Sequence, residues 1–469
     1  MKKLSILFFT LFLLSLNSQE NIKYQKPSKE ILNLVEFERP PSILYDDNKK
    51  FMLFLFRDNY KSIAELSAKE LRLGGLRIDP KTNIGSRITY YNNVKIRNLK
   101  NQKSKVVQVK GLPKNPKLSN ISWSPDQKRI ALTNTTEDGV ELWVLDLENG
   151  SVTKLTEPNL NSNIGSVITW FSDSQNMLVK MISNNRKSLI DTKKIIPDGP
   201  TISTNFGEKA QNRTYQDLLK NKFDEHNFEQ LSTSMIYKVS ITGSLKKWMN
   251  DGMYRTISFS PNGEYVMISK INKPFSYLVT YSRFPTETNI YTKDGDFVSN
   301  LLNVPLIEEL PKGFMSVRTG KRSFNWRPDK GASLTYVIAL DSGDPSNKVD
   351  FRDEVYELNY PFSGKGKSIL KTINRFSGID WGTKDMAIAY DTWWNTRNRK
   401  SYVFNPSNPN ITPKIISDRN YQDTYSDPGI FLRSRNTFNK SVLKMHNGNI
   451  FLRGQRFSPN GQFPFIDKV

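Results

Sequence analysis

Few residues of this 469-residue chain are suited to catalysis. It contains no cysteine and only two histidines, which excludes thiol nucleophiles and cysteine zinc sites. We expect His226 and His446, which are far apart in sequence, to lie in a surface loop and a hairpin. No serine occupies a Gly-x-Ser-x-Gly turn, the elbow that presents the nucleophile of an α/β-hydrolase. The sequence therefore predicts no catalytic residue and no cofactor.

A group of carboxylates could in principle hold a cation. It comprises Asp341, Asp344, Asp350, Asp353 and Glu354. Carboxylate oxygens are the usual ligands of Ca²⁺, but the spacing here differs from the fixed spacing of calcium loops. We therefore interpret this segment as a structural turn and predict no metal ion.

The pair Trp393-Trp394 with Arg397 is the third candidate. Neighbouring residues of a strand face opposite sides, so one of the two tryptophans must point away from the core. A guanidinium group binds a carboxylate through two parallel hydrogen bonds. Arg397 is therefore our candidate substrate-binding residue, for an acidic side chain of a peptide.

A recurring pattern predicts the elements that carry these residues. An aromatic or apolar residue precedes a Ser-Pro-Asp or Pro-Asn-Gly type of turn, and a short apolar run follows, which is typical of two strands joined by a turn. One unit, residues 121–155, holds four such strands, as a propeller blade does. The residues before the turns, called markers below, are Leu44, Trp123, Trp170, Phe259, Trp326, Trp381 and Phe457.

Seven markers predict an all-β chain folded as a β-propeller of about seven four-stranded blades over residues 44–469, after an N-terminal segment at 20–43. The last marker lies 12 residues before Val469, so we expect the last blade to be incomplete. The longest insertion is expected at about 185–250, with a short helix at 215–222. We expect the marker tryptophans to pack between blades.

Residues 1–19 have the pattern of a secretory signal peptide: Lys2 and Lys3 precede a short apolar stretch that ends in polar residues. The stretch is shorter than the ~20 residues that span a bilayer, although a retained anchor is the alternative. An exported, periplasmic or secreted protein is the expectation, without integral membrane association. The net charge of +22 comes from scattered lysines and arginines, so we predict no nucleic-acid partner.

Several motifs occur in one order along residues 23–469: the segments 62–83 and 86–87, 339–345 with 352–353, 393–397, 425–429 and 458–467. In this order they resemble the N-terminal propeller region of glutamyl endopeptidase-like proteins of the prolyl oligopeptidase family of serine peptidases. The resemblance implies a propeller of seven or eight blades that covers a C-terminal α/β-hydrolase domain and restricts access to it. That domain carries the catalytic triad, and we expect it to be absent from this chain.

The resemblance therefore implies the non-catalytic propeller portion of an exported peptidase whose full-length form hydrolyses peptides, with glutamate as an expected cleavage site. The alternative is a free-standing periplasmic propeller, similar to TolB, that binds a protein or a glycan. A free-standing propeller must close its ring, because an open edge strand promotes aggregation. An unfinished last blade favours the first interpretation.

Overall fold

A computed structural model of the chain describes residues 25–100, 103–191, 194–196, 199–200, 202 and 214–469. The predicted signal peptide, residues 1–19, lies outside the described residues and stays a prediction. In the described ranges no helix is both long and apolar enough to cross a bilayer.

Strands make up most of the ordered structure in these described ranges, and three α-helices and one 3-10 helix accompany them there. The helices are α1 (Lys29–Val35), α2 (Ile63–Leu66) and α3 (Lys222–Ser232), and the 3-10 helix is Tyr281–Arg283. The strands are β1 (Ser42–Tyr45), β2 (Phe51–Phe56), β3 (Leu71–Leu73), β4 (Leu76–Asp79), β5 (Ile84–Gly85), β6 (Asn93–Asn98), β7 (Val107–Gln108), β8 (Leu118–Trp123), β9 (Arg129–Thr135), β10 (Val140–Asp146), β11 (Ser151–Lys154), β12 (Ile168–Trp170), β13 (Asn176–Ile182), β14 (Ser234–Ser240), β15 (Leu245–Phe259), β16 (Tyr265–Ile271), β17 (Thr286–Thr292), β18 (Phe297–Val304), β19 (Arg322–Trp326), β20 (Ser333–Ala339), β21 (Asp353–Asn359), β22 (Lys367–Thr372), β23 (Arg375–Thr383), β24 (Met386–Trp393), β25 (Asn398–Phe404), β26 (Lys414–Asn420), β27 (Ile430–Phe431), β28 (Arg433–Arg435), β29 (Ser441–Leu443), β30 (Met445–His446), β31 (Asn449–Gly454), β32 (Phe457–Ser458), β33 (Gly461–Gln462) and β34 (Phe465–Lys468).

These strands form seven successive antiparallel sheets, as the markers predict. Sheet 1 is β1-β2-β6-β7, sheet 2 is β8 to β11, sheet 5 is β19 to β22 and sheet 6 is β23 to β26. Sheets 3 and 4 share β15, whose residues 245–252 pair with β14 and residues 253–259 with β16. Sheet 7 is built from the short strands β27, β31, β30 and β34, and three small sheets lie outside this series: β3-β4-β5, β28-β29 and β32-β33. The all-β propeller of about seven blades is confirmed.

In sheets 2 and 4 a buried serine stabilises the turn that follows the marker. Ser124 Oγ accepts a hydrogen bond from the backbone N–H of Arg129 at 3.0 Å and donates one to Asp126 at 2.6 Å. Ser260 makes the same two bonds, to the N–H of Tyr265 at 3.0 Å and to the side chain of Asn262 at 2.7 Å. These bonds satisfy backbone groups at the turn that the strand ladder leaves free.

Hydrophobic clusters join consecutive sheets. Six clusters of buried side chains each contain residues from two neighbouring sheets, from sheets 1 and 2 through to sheets 6 and 7. Marker tryptophans add hydrogen bonds across these boundaries: Trp170 Nε1 donates to the carbonyl of Ser122 at 3.1 Å, and Trp326 Nε1 donates to that of Ser258 at 3.0 Å. The structure thus places these two tryptophans between blades, with the first strands of the sheets at the inner edge.

The marker turns of sheets 1 to 5 contact one another on one face of the ring, called the marker face below, and the turn between β28 and β29 contacts the turns of sheets 1 and 5 there. At Gly263 φ is 78°, and a Cβ would lie 2.2 Å from Ser172 Oγ in the turn of the preceding sheet, so only glycine fits. The remaining contacts are Asp47 N to Gln127 Oε1, Asp126 N to Ser174 Oγ, Asn262 N to Gly331 O, Asn436 Nδ2 to Pro328 O, and the ion pair of Arg435 with Asp47.

The seventh sheet starts earlier than its marker suggests. Phe457 was expected to end the first strand of the last blade, but sheet 7 begins at Ile430, and Phe457 lies in the small hairpin β32–β33. The copy of the pattern at 456–461 is followed by Pro464 instead of an apolar run, and proline cannot donate to a central strand ladder. The short strands at 430–454 lack a Pro-Asn or Pro-Asp turn, so the pattern does not identify them.

The predicted insertion is shorter and its helix lies later in the chain. It occupies residues 183–233 of sheet 3, because residues 234–250, expected to belong to it, form β14 and the start of β15. The helix is α3 rather than 215–222: the side chain of Asn221 accepts a hydrogen bond from the N–H of Asp224 at 2.9 Å and caps it. Phe228 and Leu231, one turn apart on α3, are buried.

Trp326→Phe tests the bonds between blades. It keeps the aromatic packing but removes the hydrogen bond to Ser258, so the free energy of unfolding should fall by about 1–2 kcal/mol. Denaturant titration measures this change. Trp123→Phe is the matched control, because the indole of this marker makes no hydrogen bond to the described protein groups, and its effect should be at most about 0.5 kcal/mol. Equal losses in the two variants would contradict the prediction.

Lys180 gives a pH-dependent prediction. Its side chain is buried in β13, its ammonium group donates to the carbonyl of Ile164, and burial lowers its pKa to about 7. Between about pH 7 and pH 10 the unfolded chain holds a proton that the folded chain has released, so this residue makes stability rise with pH, and its full cost is present below pH 7. The stability gained by Lys180→Met should therefore shrink by about 1.4 kcal/mol per pH unit across this window.

Urea unfolding at several pH values from 7 to 10 checks this difference. Lys128→Met, which changes an exposed lysine of sheet 2, is the control and should stay within about 0.5 kcal/mol of the unsubstituted chain at each pH. A gain for Lys180→Met that does not change with pH would show that the buried amine is not the group that titrates.

Candidate functional site

The motifs that carry the family resemblance lie mainly on the face opposite the marker face. Second strands run away from the marker turns, so the loops after them leave from the other face, called the motif face below. The loops after second strands include 57–92, 340–352 and 394–397, and the segment 421–429, which follows a fourth strand, lies on the same face by the same alternation. The exception is 458–467, which contains the hairpin β32–β33.

Two carboxylates of the acidic group, Asp341 and Asp353, belong to an ion-pair network. The two oxygens of Asp341 accept from the guanidinium of Arg375 at 3.0 and 2.7 Å, and Arg352 Nη1 donates to Asp341 at 2.9 Å. Asp353 accepts from Arg375 at 2.9 Å and from the N–H of Phe376 at 2.7 Å. Both carboxylates are buried, and the described residues contain no cluster of potential ligands that could hold a metal ion.

Arg375, the first residue of β23, joins sheets 5 and 6 through this network. Its Nε donates to the carbonyl of Met315 at 3.1 Å, so each of its three nitrogens has a partner. Burial acts to lower its pKa, but the hydrogen bonds to Asp341 and the charge of Asp353 outweigh burial and raise the pKa. The two aspartates are recognisable in the sequence, but Arg375 is not, because a single arginine at the start of a strand gives no local signal of its role.

The tryptophan pair behaves as the strand alternation predicts. Trp393 ends β24 and lies under the guanidinium of Arg352, whose carbon is 3.9 Å from the ring centroid. Trp394 has 41% of its surface exposed and its ring centroid is 5.2 Å from that of Phe314, which is 70% exposed. One tryptophan therefore stabilises the ion-pair network and the other forms an exposed aromatic pair on the motif face.

Arg397 lies in the turn between β24 and β25, with φ of 56°. Its guanidinium stacks 3.8 Å from the centroid of the Trp394 ring, and its Nη1 donates to the carbonyl of Trp394 at 2.7 Å. Arg397 forms no ion pair with a carboxylate among the described residues. Arg397 is thus held on the motif face by an aromatic ring, and its role as a substrate-binding residue stays a prediction.

The segment 62–91 forms a small module on the same face. A capping box of Ser62 and Glu65 starts α2, and the tight turn at Gly74-Gly75 joins β3 to β4. Gly75 has φ of 91°, and a Cβ there would lie 2.8 Å from the side chain of Thr280. The turn therefore packs directly against the loop of sheet 4 that contains Thr280.

A charged cluster stabilises the outer side of this module. Burial acts to raise the pKa of Glu70, but hydrogen bonds from Ser86, Arg87 and Arg72 outweigh it and lower that pKa to about 2. The module borders a cleft of about 1010 Å³ that sheet 2 closes on its other side. Acidic and basic side chains are mixed along the cleft, and no group of them suggests a reaction.

A second cavity, of about 450 Å³, lies at the inner edges of sheets 5 and 6, beside the hairpin β28–β29. Ser323, Asn325 and Gly378 line it, together with Asp380 and Arg433, which form an ion pair. Since first strands line the axis of a propeller, this cavity is part of the central channel. The two histidines are elsewhere: His226 lies on α3, where its Nε2 is 3.0 Å from the carbonyl oxygen of Ser188, and His446 lies at the hairpin between β30 and β31.

Two curated relatives match nearly the whole chain. A probable chloroplastic glutamyl endopeptidase of Oryza sativa subsp. japonica is 33% identical over 465 residues, which cover 95% of this chain and 49% of the relative. A protein of the same description from Arabidopsis thaliana is 31% identical over 463 residues, covering 95% and 48%. No family model matches the chain. The chain spans about half the length of the curated relatives it matches.

Solved structures with a similar fold include an acylaminoacyl peptidase of Pyrococcus horikoshii, with a TM-score of 0.41, 13% identity and coverage of 90% of this chain and 50% of that chain. TolB of Acinetobacter baumannii is also similar, with a TM-score of 0.30, 13% identity and coverage of 72% and 61%.

The seven successive sheets define the chain as a β-propeller. More particularly, the chain is similar along 95% of its length to glutamyl endopeptidase-like proteins, of which it covers about half. The resemblance seen in its motifs is thereby confirmed.

Arg375→Met tests the network between sheets 5 and 6. It removes the bonds to two buried carboxylates and to Met315, so the free energy of unfolding should fall by about 3 kcal/mol or more. Arg399→Met, which changes an exposed arginine of β25, should cost at most about 0.5 kcal/mol. Chemical denaturation of both variants measures the difference, and similar losses would contradict a structural role for the network.

Proposed function

We propose that this chain is the non-catalytic propeller portion of an exported serine peptidase and controls which substrates reach a hydrolase domain. The observation that carries the proposal is the identity along 95% of the chain to probable glutamyl endopeptidases of which it covers only about half. A hydrolase domain in the full-length enzyme would supply the nucleophile that this sequence lacks. Peptides are the proposed substrates.

Two structural features support a gating role. The inner strands enclose a channel cavity lined by both polar and apolar residues. Its polar groups suit an extended peptide, because such a chain carries backbone groups that need hydrogen bonds. On the marker face the turns contact one another directly, so the ring is held together there. A cavity of about 450 Å³ is far too small to admit a folded protein.

The test compares two products of the same gene. The 469-residue chain, purified alone, should neither hydrolyse peptides nor react with a serine-directed fluorophosphonate probe. The protein as the cells make it from the intact locus should do both, and should cleave a short peptide much faster than the same sequence inside a folded protein. Fluorophosphonate-sensitive hydrolysis by the 469-residue chain would contradict the proposal. An intact-locus product without peptidase activity that captures a protein or glycan would instead support a TolB-like binding role.

Export is part of the proposal. The mature protein should be recovered from the periplasm or the medium, and N-terminal sequencing should place its first residue near Glu20. Recovery in the cytoplasm with Met1 retained would contradict export.

Arg397→Ala in the full-length peptidase tests the predicted substrate contact. A charge-assisted hydrogen bond is worth about 1.5–3 kcal/mol, so loss of the guanidinium should raise KM for a glutamate-containing peptide about tenfold or more. The matching glutamine peptide should be affected much less. Arg399→Ala, two residues further along the chain, is the control, and unchanged cleavage by the Arg397 variant would exclude the contact.

A further inference from the structure

The inner strands of sheets 5 and 6 are interrupted by β-bulges. These strands, β19 and β23, pair on one side only, and their other edge faces the channel. In β19, Ser323 and Phe324 lie opposite the single residue Tyr336 of β20. In β23, Ser377 falls between two residues whose partners in β24 are consecutive. A bulge takes residues out of the ladder, and bulges are common beside binding sites.

Three accessible hydroxyl groups surround the cavity of about 450 Å³ that lies beside these bulges. Ser323, Ser377 and Ser441 line this cavity, and all three residues are exposed. Their hydroxyls make no hydrogen bond to any group of the described residues. Because a hydroxyl both donates and accepts, it can pair with the N–H or the C=O of a peptide main chain. A ligand in the cavity therefore finds hydrogen-bonding capacity that the fold does not use.

The lining of this cavity carries no net charge within the described part of the chain. Its two charged residues are Asp380 and Arg433, which form an ion pair with each other. Tyr390 donates a further hydrogen bond to Asp380 at 2.9 Å. A charged group of a ligand would find these partners already occupied and would lose its hydration without compensation, which is costly. The cavity therefore favours a neutral ligand that forms hydrogen bonds.

The shape of the cavity suits an extended chain. Its lining follows β19 from Ser323, in the bulge, to Pro328, in the turn after the marker Trp326. Since a strand rises by about 3.3 Å per residue, this stretch is roughly 15 Å long. An extended peptide has the same rise, so about five of its residues fit beside the inner edge of β19.

We propose that the inner edges of β19 and β23, together with Ser323, Ser377 and Ser441, form a site in the channel that binds the main chain of an extended peptide. The site rests on the proposed function, because its ligand is a peptide inside the channel. It adds that the peptide is held by its backbone N–H and C=O groups, irrespective of its side chains. Main-chain hydrogen bonds to an exposed strand edge are a general way of binding extended peptides.

Fluorescence anisotropy with the purified 469-residue chain tests the site. The probes are labelled, uncharged octapeptides with both ends blocked: two of unrelated sequence, and two forms of the first that are N-methylated at alternate residues, odd or even. Alternate residues of a strand direct their N–H groups to the same side. We therefore expect the two unmethylated peptides to bind with similar affinity and at least one methylated form to bind about tenfold more weakly, because it lacks donors that the site requires.

Gly378→Leu is the main variant. Gly378 lines the cavity, its φ lies outside the left-handed region, and a Cβ there would meet no atom within 4 Å, so the leucine enters the cavity without displacing the fold. It should weaken binding about tenfold or more. Gly199→Leu is the matched control: this glycine of the insertion also has open space around its Cβ, and its variant should bind within about twofold of the unsubstituted chain. Replacing the three serines together by alanine should also weaken binding about tenfold. Far-UV circular dichroism checks the folding of each variant.

Four results would overturn the site: no binding of the unmethylated peptides, equal binding of methylated and unmethylated forms, equal effects of the Gly378 and Gly199 variants, or binding of a neutral oligosaccharide such as maltohexaose in place of every peptide. Because binding is measured without peptidase activity, the outcomes are separable. Absent binding with an active, gated full-length peptidase rejects only the site, whereas main-chain binding by a chain whose intact-locus product has no peptidase activity rejects only the proposed function.

Discussion

Packing between neighbouring sheets is the constraint on which this structure depends. A four-stranded antiparallel sheet has two faces, and in this chain both faces of an inner sheet are apolar and must be covered by the sheets before and after it. Six clusters of buried side chains do this from sheet 1 to sheet 7. Hydrogen bonds such as that from Trp326 to Ser258 then fix the angle at which successive sheets meet. No sheet of this kind would be stable alone in water.

At the boundary between sheets 5 and 6, buried ion pairs join the two sheets in addition to the hydrophobic contacts. Arg375 reaches across it to two aspartates from sheet 5 and its loop, and Arg352 covers Trp393 of sheet 6. Buried ion pairs contribute less to stability than to geometry, because desolvation offsets much of their attraction. Here they hold the start of β19 and β23, and therefore the motif-face end of the channel, in one arrangement.

The sequence predicts the repeating part of the fold well because turn chemistry and packing are local. Ser124 and Ser260 follow their markers at the same position and make the same bonds, so one pattern identifies both. The pattern does not predict sheet 7, because its strands are short and the matching pattern near it, at Phe457, belongs to a small hairpin. The sequence predicts a helix at 215–222, whereas α3 begins at Lys222. The difference arises because the prediction does not consider the capping side chain of Asn221.

The candidate site was predictable only in part, for a different reason. Trp393, Trp394 and Arg397 share a short segment, and their types suggested an exposed aromatic and a cation, as observed. Arg322 and Arg375 are more than fifty residues apart and meet Asp353 only through the pairing of sheets. Contacts of this range depend on tertiary structure, and a single sequence carries no local sign of them.

Because strand direction alternates, the loops on the two faces of the ring differ in how much their length can vary. On the marker face the turns touch, and Gly263 leaves no room even for a methyl group. On the motif face the loops after second strands range from the four-residue turn at 394–397 to the insertion at 183–233, while the ladders beside them stay regular. Relatives of this protein can therefore gain or lose whole segments on the motif face without reorganising the ring, and we expect differences in length among them to accumulate there.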